Sequence, residues 1–256
     1  MVEMSALILA AGRGVRMGSA GRLMPKGLLK IGDEPLVVRS VKLLRQRGIK
    51  DIRIVTGHLC DQYEALFGGQ DDVELIHNPV YETTGSLLSL MTGLQRLDGP
   101  VVLLESDIVY EARALAPVAF DRTRIILSGQ TSASDEVYIW VRNGEKGTAV
   151  FNTMSKDIHA HAGDHFGELV GITCFSKIQV ENLKNAAEVV LARDPKSDYE
   201  SSIIELAKKT DIEAILIKDL AWTEIDDEKM YARAVSRIWP LIQKSENFIP
   251  DNLFGT

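Results

Sequence analysis

The first hundred residues alternate between short apolar runs and stretches that place an apolar side chain every three or four positions. Ala6–Ala10, inside an apolar run that starts at Met4, reads as a buried strand. Pro35–Gly48 reads as a helix with Val37, Val41 and Leu44 on one face and Gly48 as its C-terminal stop. Asp51–Thr56 is the next strand, Gln62–Phe67 a short helix, and Val73–His77 a third strand. Ser86–Leu97 predicts a helix with Leu87, Leu90, Met91 and Leu94 inward. Pro100–Leu104 is a fourth strand, apolar enough for the centre of a sheet. This β-α-β-α-β-α-β order predicts an α/β, doubly wound, mostly parallel Rossmann-like sheet.

The second half changes character. Arg124–Ser128, Val137–Val141, Ala149–Asn152 and Glu168–Phe175 read as strands divided by turns such as Asn143-Gly144, which makes the sheet mixed. Ile178–Leu191, Ser201–Lys209 and Glu228–Trp239 read as helices, and Glu213–Ile217 as a late strand. With no polar linker, repeat or low-complexity run, residues 1–240 read as one domain with an elaborated C-terminal half. Leu241–Thr256 carries Phe248, Ile249, Leu253 and Phe254 without periodicity. It reads as a tail that packs on the domain or as a linker to a further one.

Composition narrows the class. Across 256 residues, 45% are hydrophobic and 25% charged, which suits a globular protein with a real core. A formal net charge of −7, with no offsetting basic stretch, argues against nucleic acid as a partner. Cys60 and Cys174 show no metal or redox spacing and suit a reducing compartment. The N-terminal apolar run ends at Gly12-Arg13, too early for a signal segment, and no window reaches the length of a membrane span. A cytoplasmic protein is expected.

The most informative stretch is Leu9-Ala10-Ala11-Gly12-Arg13-Gly14-Val15-Arg16-Met17, followed by Pro25-Lys26. A dinucleotide loop would read G-x-G-x-x-G and open a helix, but here the glycines fall at 12, 14 and 18. Gly18, Gly21 and Pro25 are expected to break any helix that starts at Val15. A Walker loop needs Gly-Lys-Ser/Thr, whereas Lys26 stands between Pro25 and Gly27. Ala10, Ala11, Gly12 and Gly14 leave main-chain N–H groups uncovered for a polyphosphate. Arg16 and Lys26 add fixed positive charge. A glycine-rich loop that binds nothing would not need strand, small residues, Arg16 and Pro-Lys together.

Carboxylates complete the pattern. Pro100–Leu104 runs into Glu105-Ser106-Asp107, at the strand end where α/β sheets hold ligands. Glu224 and Asp226, two apart on an extended segment, project to one side. An acidic chain handling an anionic nucleotide needs a divalent cation, and Asp107 and Asp226 are the candidates to hold Mg²⁺. Asn78–Ser86 is a polar loop in which Thr84 or Ser86 can cap the following helix, hydrogen-bond a pyrimidine base, or do both. His159, His161 and His165 resemble a zinc cluster but lie beside Gly163-Asp164 without a fourth ligand, and read as a solvated turn.

Together these residues resemble the small bacterial cytidylyltransferases of the 2-aminoethylphosphonate and phosphocholine type, within the sugar-nucleotidyltransferase superfamily. The motifs Leu9–Arg16, Pro25-Lys26, Asn78–Leu90, Ser106-Asp107 and Glu224–Asp226 carry the resemblance, which spans most of residues 4–235. It implies the nucleotidyltransferase fold, with Leu9–Gly14 and Arg16 holding the CTP triphosphate and Lys26 neutralising the α-phosphate and the incoming anion. Thr83, Thr84, Gly85, Ser86 and Ser89 would contact cytidine, and Asp107 and Asp226 would bind Mg²⁺. The reaction would be in-line attack of a phosphonate or phosphate oxygen on the α-phosphorus, releasing pyrophosphate.

The acceptor pocket is expected at Asp135, Glu136, Tyr138, Glu168, Tyr199 and Glu200. Choline enzymes of the family use tryptophans where Val137 and Glu200 stand here. Abundant acids and few aromatics suit a primary ammonium, which donates three hydrogen bonds, so 2-aminoethylphosphonate is favoured over phosphocholine. A sugar 1-phosphate, which Glu168 would suit, is the alternative within the class; methylerythritol phosphate fits the acceptor region less well. A nucleotide-sensing domain without activity is the reading from another class, and intact Lys26, Asp107 and Asp226 count against it. CTP over UTP rests on the resemblance alone. The sequence leaves oligomeric state open, and the tail leaves room for a fused aminotransferase domain such as some relatives carry.

Overall fold

In the computed structural model, which describes residues 3–131 and 136–247, the alternation of the first half is realised element by element. The chain runs through β1 (Ser5–Ala10), α1 (Gly18–Leu23), β2 (Lys30–Ile31), β3 (Glu34–Pro35), α2 (Leu36–Gln46) and β4 (Asp51–Thr56). It continues through α3 (Cys60–Phe67), β5 (Val73–His77), α4 (Ser86–Gly93), β6 (Val101–Glu105) and β7 (Ile108–Tyr110). The second half comprises β8 (Arg124–Ser128), β9 (Tyr138–Asn143), β10 (Ala149–Ser155), β11 (Gly167–Phe175), α5 (Lys177–Leu191) and α6 (Glu200–Ala207). It closes with β12 (Glu213–Ile217), β13 (Trp222–Glu224), α7 (Glu228–Arg233) and α8 (Trp239–Glu246).

Nine strands form one mixed sheet in the order β5-β4-β1-β6-β11-β8-β12-β10-β9. The first four are mutually parallel, β11 runs antiparallel to β6 and β8, and β8 and β12 are parallel. β9 also pairs with the start of β11, at Gly167–Ile139 and Glu168–Tyr138, which closes the far half into a ring.

The period of two decides which residues meet which helices. On β1, Leu7 and Leu9 face a core built with Leu87 and Leu90 of α4, Leu183 of α5 and Ile203 of α6. Ala6, Ile8 and Ala10 face the opposite core, with Val37, Val41 and Leu44 of α2 and Tyr63 and Phe67 of α3. Val101 and Leu103 against Val102 and Leu104 divide β6 in the same way. Helices therefore cover both faces, and the strand ends are where polar side chains can converge.

The structure corrects three local expectations. Val15–Met17 forms a 3₁₀ turn and Gly18–Leu23 a short helix, so the glycines shape the segment instead of abolishing its helices; the break falls at Gly18, and Pro25 limits the second turn. Neither Thr84 nor Ser86 caps α4: its N-cap is Gly85, and both hydroxyls are turned elsewhere. The first part of the supposed tail is helical: Trp239–Glu246 is α8, joined to α7 by a π-turn at Ala234–Ile238. Pro240 sits in the first turn of α8, Ile242 is buried, and Glu246 accepts from Arg39 and from the Ala112 N–H at 3.0 Å. Phe248, Ile249, Leu253, Phe254 and Asp135 lie outside the described residues.

Candidate active site

β1 ends at Ala10, and the chain passes through Ala11, Gly12, Arg13 and Gly14 along one wall of an open cleft of about 470 Å³. The Ser106 N–H donates to Leu9 O at 3.2 Å, which fixes the end of β6 against the end of β1. Pro25 leads into the 3₁₀ turn Lys26–Leu28, and this turn delivers Lys26 into the same cleft. β13 pairs antiparallel with β7, and the Ile225 N–H donates to Asp107 O at 2.9 Å. That ribbon brings Glu224 and Asp226 to Asp107 across more than a hundred residues of chain.

Lys26 Nζ donates to Asp107 Oδ2 at 2.9 Å and to Asp226 Oδ1, while Arg16 pairs with Asp226 Oδ2 at 2.6 Å. Asp226 is 2% exposed, whereas the Arg16 side chain is 53% exposed. Burial would lower the pKa of Lys26, but the charges of Asp107 and Asp226 outweigh it and hold the ammonium above the ordinary lysine range. Asp226 keeps its place because Asp227, the next residue, caps α7 by accepting from the Met230 N–H at 2.7 Å.

Glu105, Asp107 and Glu224 present carboxylate oxygens within 4.8 Å of one another. Burial first, and then the charges of Asp107 and Glu200, push the Glu105 carboxyl up to about 8. Burial, followed by Glu105 and Asp107, likewise raises Glu224. Acids crowded this closely cannot all ionise without a cation among them. Glu105 also accepts from Tyr199 Oη at 2.5 Å. It has room to do so because β11 carries glycine at 171, at φ 79°, where a Cβ would stand 2.7 Å from Glu105 Oε2.

The far end of the cleft is lined by Lys156, Asp198, Tyr199 and Glu200, and its other wall by Tyr81, Glu82, Thr84, Gly85, Ser86 and Ser89. Burial raises the Glu200 carboxyl to about 7, and its Oε2 is shut off from solvent without a hydrogen bond.

Residues 6–171, more than half of the chain, match the MobA-like NTP transferase domain. The chain belongs to the MobA-like NTP transferase family. The chain is 34% identical over 121 residues to CMP-5'-(3-aminopropyl)phosphonate synthase of Streptomyces rubellomurinus, a match covering 46% of this chain and 19% of that protein. It is 27% identical over 242 residues to the bifunctional IPC transferase and DIPP synthase of Thermococcus kodakarensis, covering 91% of this chain and 50% of the relative. The matches thus span half or less of these curated relatives. Among solved structures, CTP:phosphocholine cytidylyltransferase from Streptococcus pneumoniae superposes with a TM-score of 0.76 at 18% identity, covering 91% of this chain and 98% of that one. The inositol-1-phosphate CTP transferase from T. maritima gives 0.77 at 15% identity, covering 98% and 99%. These likenesses show a nucleotidyltransferase fold.

Of the residues expected from the sequence, the cleft gathers Leu9, Ala10, Ala11, Gly12, Gly14, Arg16, Lys26, Thr84, Gly85, Ser86, Ser89, Asp107, Tyr199, Glu200 and Asp226. Thr83, Glu136, Tyr138 and Glu168 stand outside its lining. Glu168 is buried and accepts from the Thr131 N–H at 2.8 Å, and Tyr138 meets the ring of His165 edge-on at 4.9 Å. His161 packs edge-on against Trp140 in the same way. Of the two metal candidates, Asp107 belongs to the convergent acid group, while Asp226 is held by Lys26 and Arg16. Several lining residues, among them Glu105, Glu224, Tyr63 and Lys156, had no assigned site role in the sequence reading. Glu105 and Glu224 had a signal, as neighbours of Asp107 and Asp226; Tyr63 and Lys156 had none.

Proposed function

We propose that this nucleotidyltransferase transfers CMP from CTP to a small aminoalkyl phosphonate or phosphate, with 2-aminoethylphosphonate the favoured acceptor, and releases pyrophosphate. The observation that carries the acceptor class is Glu200, a half-buried carboxylate lining the cleft beside Tyr199 and Asp198, whose Oε2 is shut off from solvent and unpartnered. A primary ammonium supplies the donors such a group lacks, whereas a quaternary ammonium has none and needs an aromatic box. The aromatic side chains of the described lining are Tyr63, Tyr81 and Tyr199, and the Tyr199 hydroxyl is already committed to Glu105. The names of the relatives, which include a CMP-aminopropylphosphonate synthase and a 2-aminoethylphosphonate cytidylyltransferase, support the same class.

The triphosphate lies along the Ala10–Gly14 loop in this reading, with Arg16 and Lys26 neutralising its charge. An acceptor oxygen attacks the α-phosphorus in line, forming a P–O bond as the bond to the bridging oxygen of pyrophosphate breaks. The nucleophile is an anion near neutral pH, so no general base is needed. The all-oxygen donor set of Glu105, Asp107 and Glu224, with Asp226 adjoining, fits a hard divalent cation such as Mg²⁺. When bound there, that cation would offset phosphate charge. Lys26, its ammonium held by Asp107 and Asp226, stays protonated and offsets the charge of the anions.

The deciding experiment measures pyrophosphate release with Mg²⁺ and CTP or UTP, offering 2-aminoethylphosphonate, phosphocholine and glucose 1-phosphate. The expected result is highest kcat/KM with CTP and the phosphonate, and loss of turnover in Asp107→Ala. Preference for phosphocholine or the sugar phosphate would overturn the acceptor reading, and normal turnover in Asp107→Ala would overturn the cation site.

A further inference from the structure

Two loops that are remote in sequence meet at the start of α4. The Gly85 N–H donates to Pro195 O at 3.3 Å and the Leu87 N–H to Ser197 O at 3.2 Å. Between them, Ser86 makes three contacts with the acceptor end of the cleft. Its hydroxyl donates to Asp198 Oδ1 at 3.2 Å and accepts from the Tyr199 N–H at 2.9 Å, and its own N–H points at Asp198 Oδ1 from 3.5 Å. The loops approach so closely that a Cβ at Gly85 would lie 2.2 Å from Ser197 O. Glycine is required there by contact, not by backbone angle.

A hydroxyl has one proton to give. That of Ser86 goes to a carboxylate that can only accept, so it is not available to a nucleotide base while this bond stands. The acceptance from Tyr199 fixes the chain at the residue that carries the Glu105 hydrogen bond and immediately precedes Glu200. We infer that Ser86 is a positioning residue for the acceptor pocket: it fastens Asp198, Tyr199 and Glu200 to the nucleotide wall and so sets where the acceptor's ammonium sits relative to the α-phosphate. The assignment rests on the acceptor end proposed above. It takes the Ser86 hydroxyl out as a donor to the base and leaves that task to its neighbours.

The test compares Ser86→Ala, Ser86→Thr and Glu200→Gln with the wild type. Calorimetry gives the Kd for CTP without acceptor, and pyrophosphate release gives the KM for 2-aminoethylphosphonate. Losing the hydroxyl costs about one hydrogen bond in placing the loop, so Ser86→Ala raises the acceptor KM by about tenfold and leaves the CTP Kd within about twofold. Ser86→Thr, which keeps the hydroxyl, recovers most of that loss. A weakened CTP Kd with an unchanged acceptor KM overturns the inference, as do equal losses in both or no change in either. Amide exchange keeps it separable from the acceptor reading. Ser86→Ala is expected to speed exchange in residues 195–202 and not in 6–17. If Glu200→Gln leaves the acceptor KM unmoved while exchange behaves as expected, the acceptor reading fails and the fastening role stands; unchanged exchange at 195–202 sinks the fastening role by itself.

Discussion

Lys26 stands between two acids, and taking it away leaves Asp107 without that partner and the buried Asp226 with its Arg16 pair. Lys26→Met is therefore expected to lose about 10²–10³ in turnover, as when one preorganised donor is removed from developing charge. It is also expected to melt lower than the wild type, because breaking a buried pair strands its partner. Mg²⁺ should restore more melting temperature to the variant than to the wild type, since a cation replaces the missing ammonium; equal shifts in scanning fluorimetry would refute this. Glu200 makes a pH-dependent prediction. Its carboxyl is raised to about 7, and only the ionised form pairs with an ammonium. The KM for 2-aminoethylphosphonate should fall as pH rises from about 6 to 8. Glu200→Gln should have a higher KM and lack that component of the profile. Lys26, Asp107 and Asp226 were legible in the sequence because each follows a strand or sits in a short polar motif, and strand ends are where an α/β sheet collects ligands. Tyr63 was not, since a tyrosine on the apolar face of α3 looks like core, and is core, until its edge is seen at the cleft.

At the scale of elements, the main strands and helices of the first half were legible because period two and period 3.6 alternate from Ala6 to Leu104, although α1, β2 and β3 were not read and α4 ends at Gly93, short of the expected Leu97. The second half yielded its strands but not their neighbours. Nothing in the pattern of β8, β9, β10 and β11 specifies that β12 inserts between β8 and β10, or that β9 turns back onto β11. For that reason Glu136, Tyr138 and Glu168, on those strands or beside them, stand outside the cleft lining while Tyr199 and Glu200 fall inside it. The two-strand ribbon β7–β13 was equally hidden, being only three residues on each side. One capping contact supports that ribbon's outlet. Asp227→Ala removes the acceptor for the Met230 N–H at the start of α7 and should cost about 1 kcal/mol by urea denaturation. A midpoint within error of the wild type would mean that the Glu228–Arg233 helix is held by packing alone.

On the scale of the whole molecule, the described residues put the nucleotide wall and the acceptor wall on different parts of one sheet. In the proposed reading β1 and β5 lead into the former, and the segment after α5 supplies the latter. Joining them falls to side chains and short loops, which is why single residues such as Ser86 and Gly171 weigh more here than their size suggests. The two cations of the cleft also account for how an acidic protein could receive an acidic substrate: Arg16 and Lys26 both line the wall where the triphosphate would lie.

The return of β9 onto β11 has a further consequence, for solubility. With β9 tied back to β11, the sheet order ends in β5, a terminal strand that among the described residues pairs with β4 on one side. Exposed Glu74 and His77 stand on it, and Glu74 is tied to Arg53 of the neighbouring strand. Charge on a short border strand discourages another chain from docking there by backbone pairing. Glu74→Val should therefore leave native turnover intact yet scatter more light during refolding from urea, as molecules stack along Val73–His77.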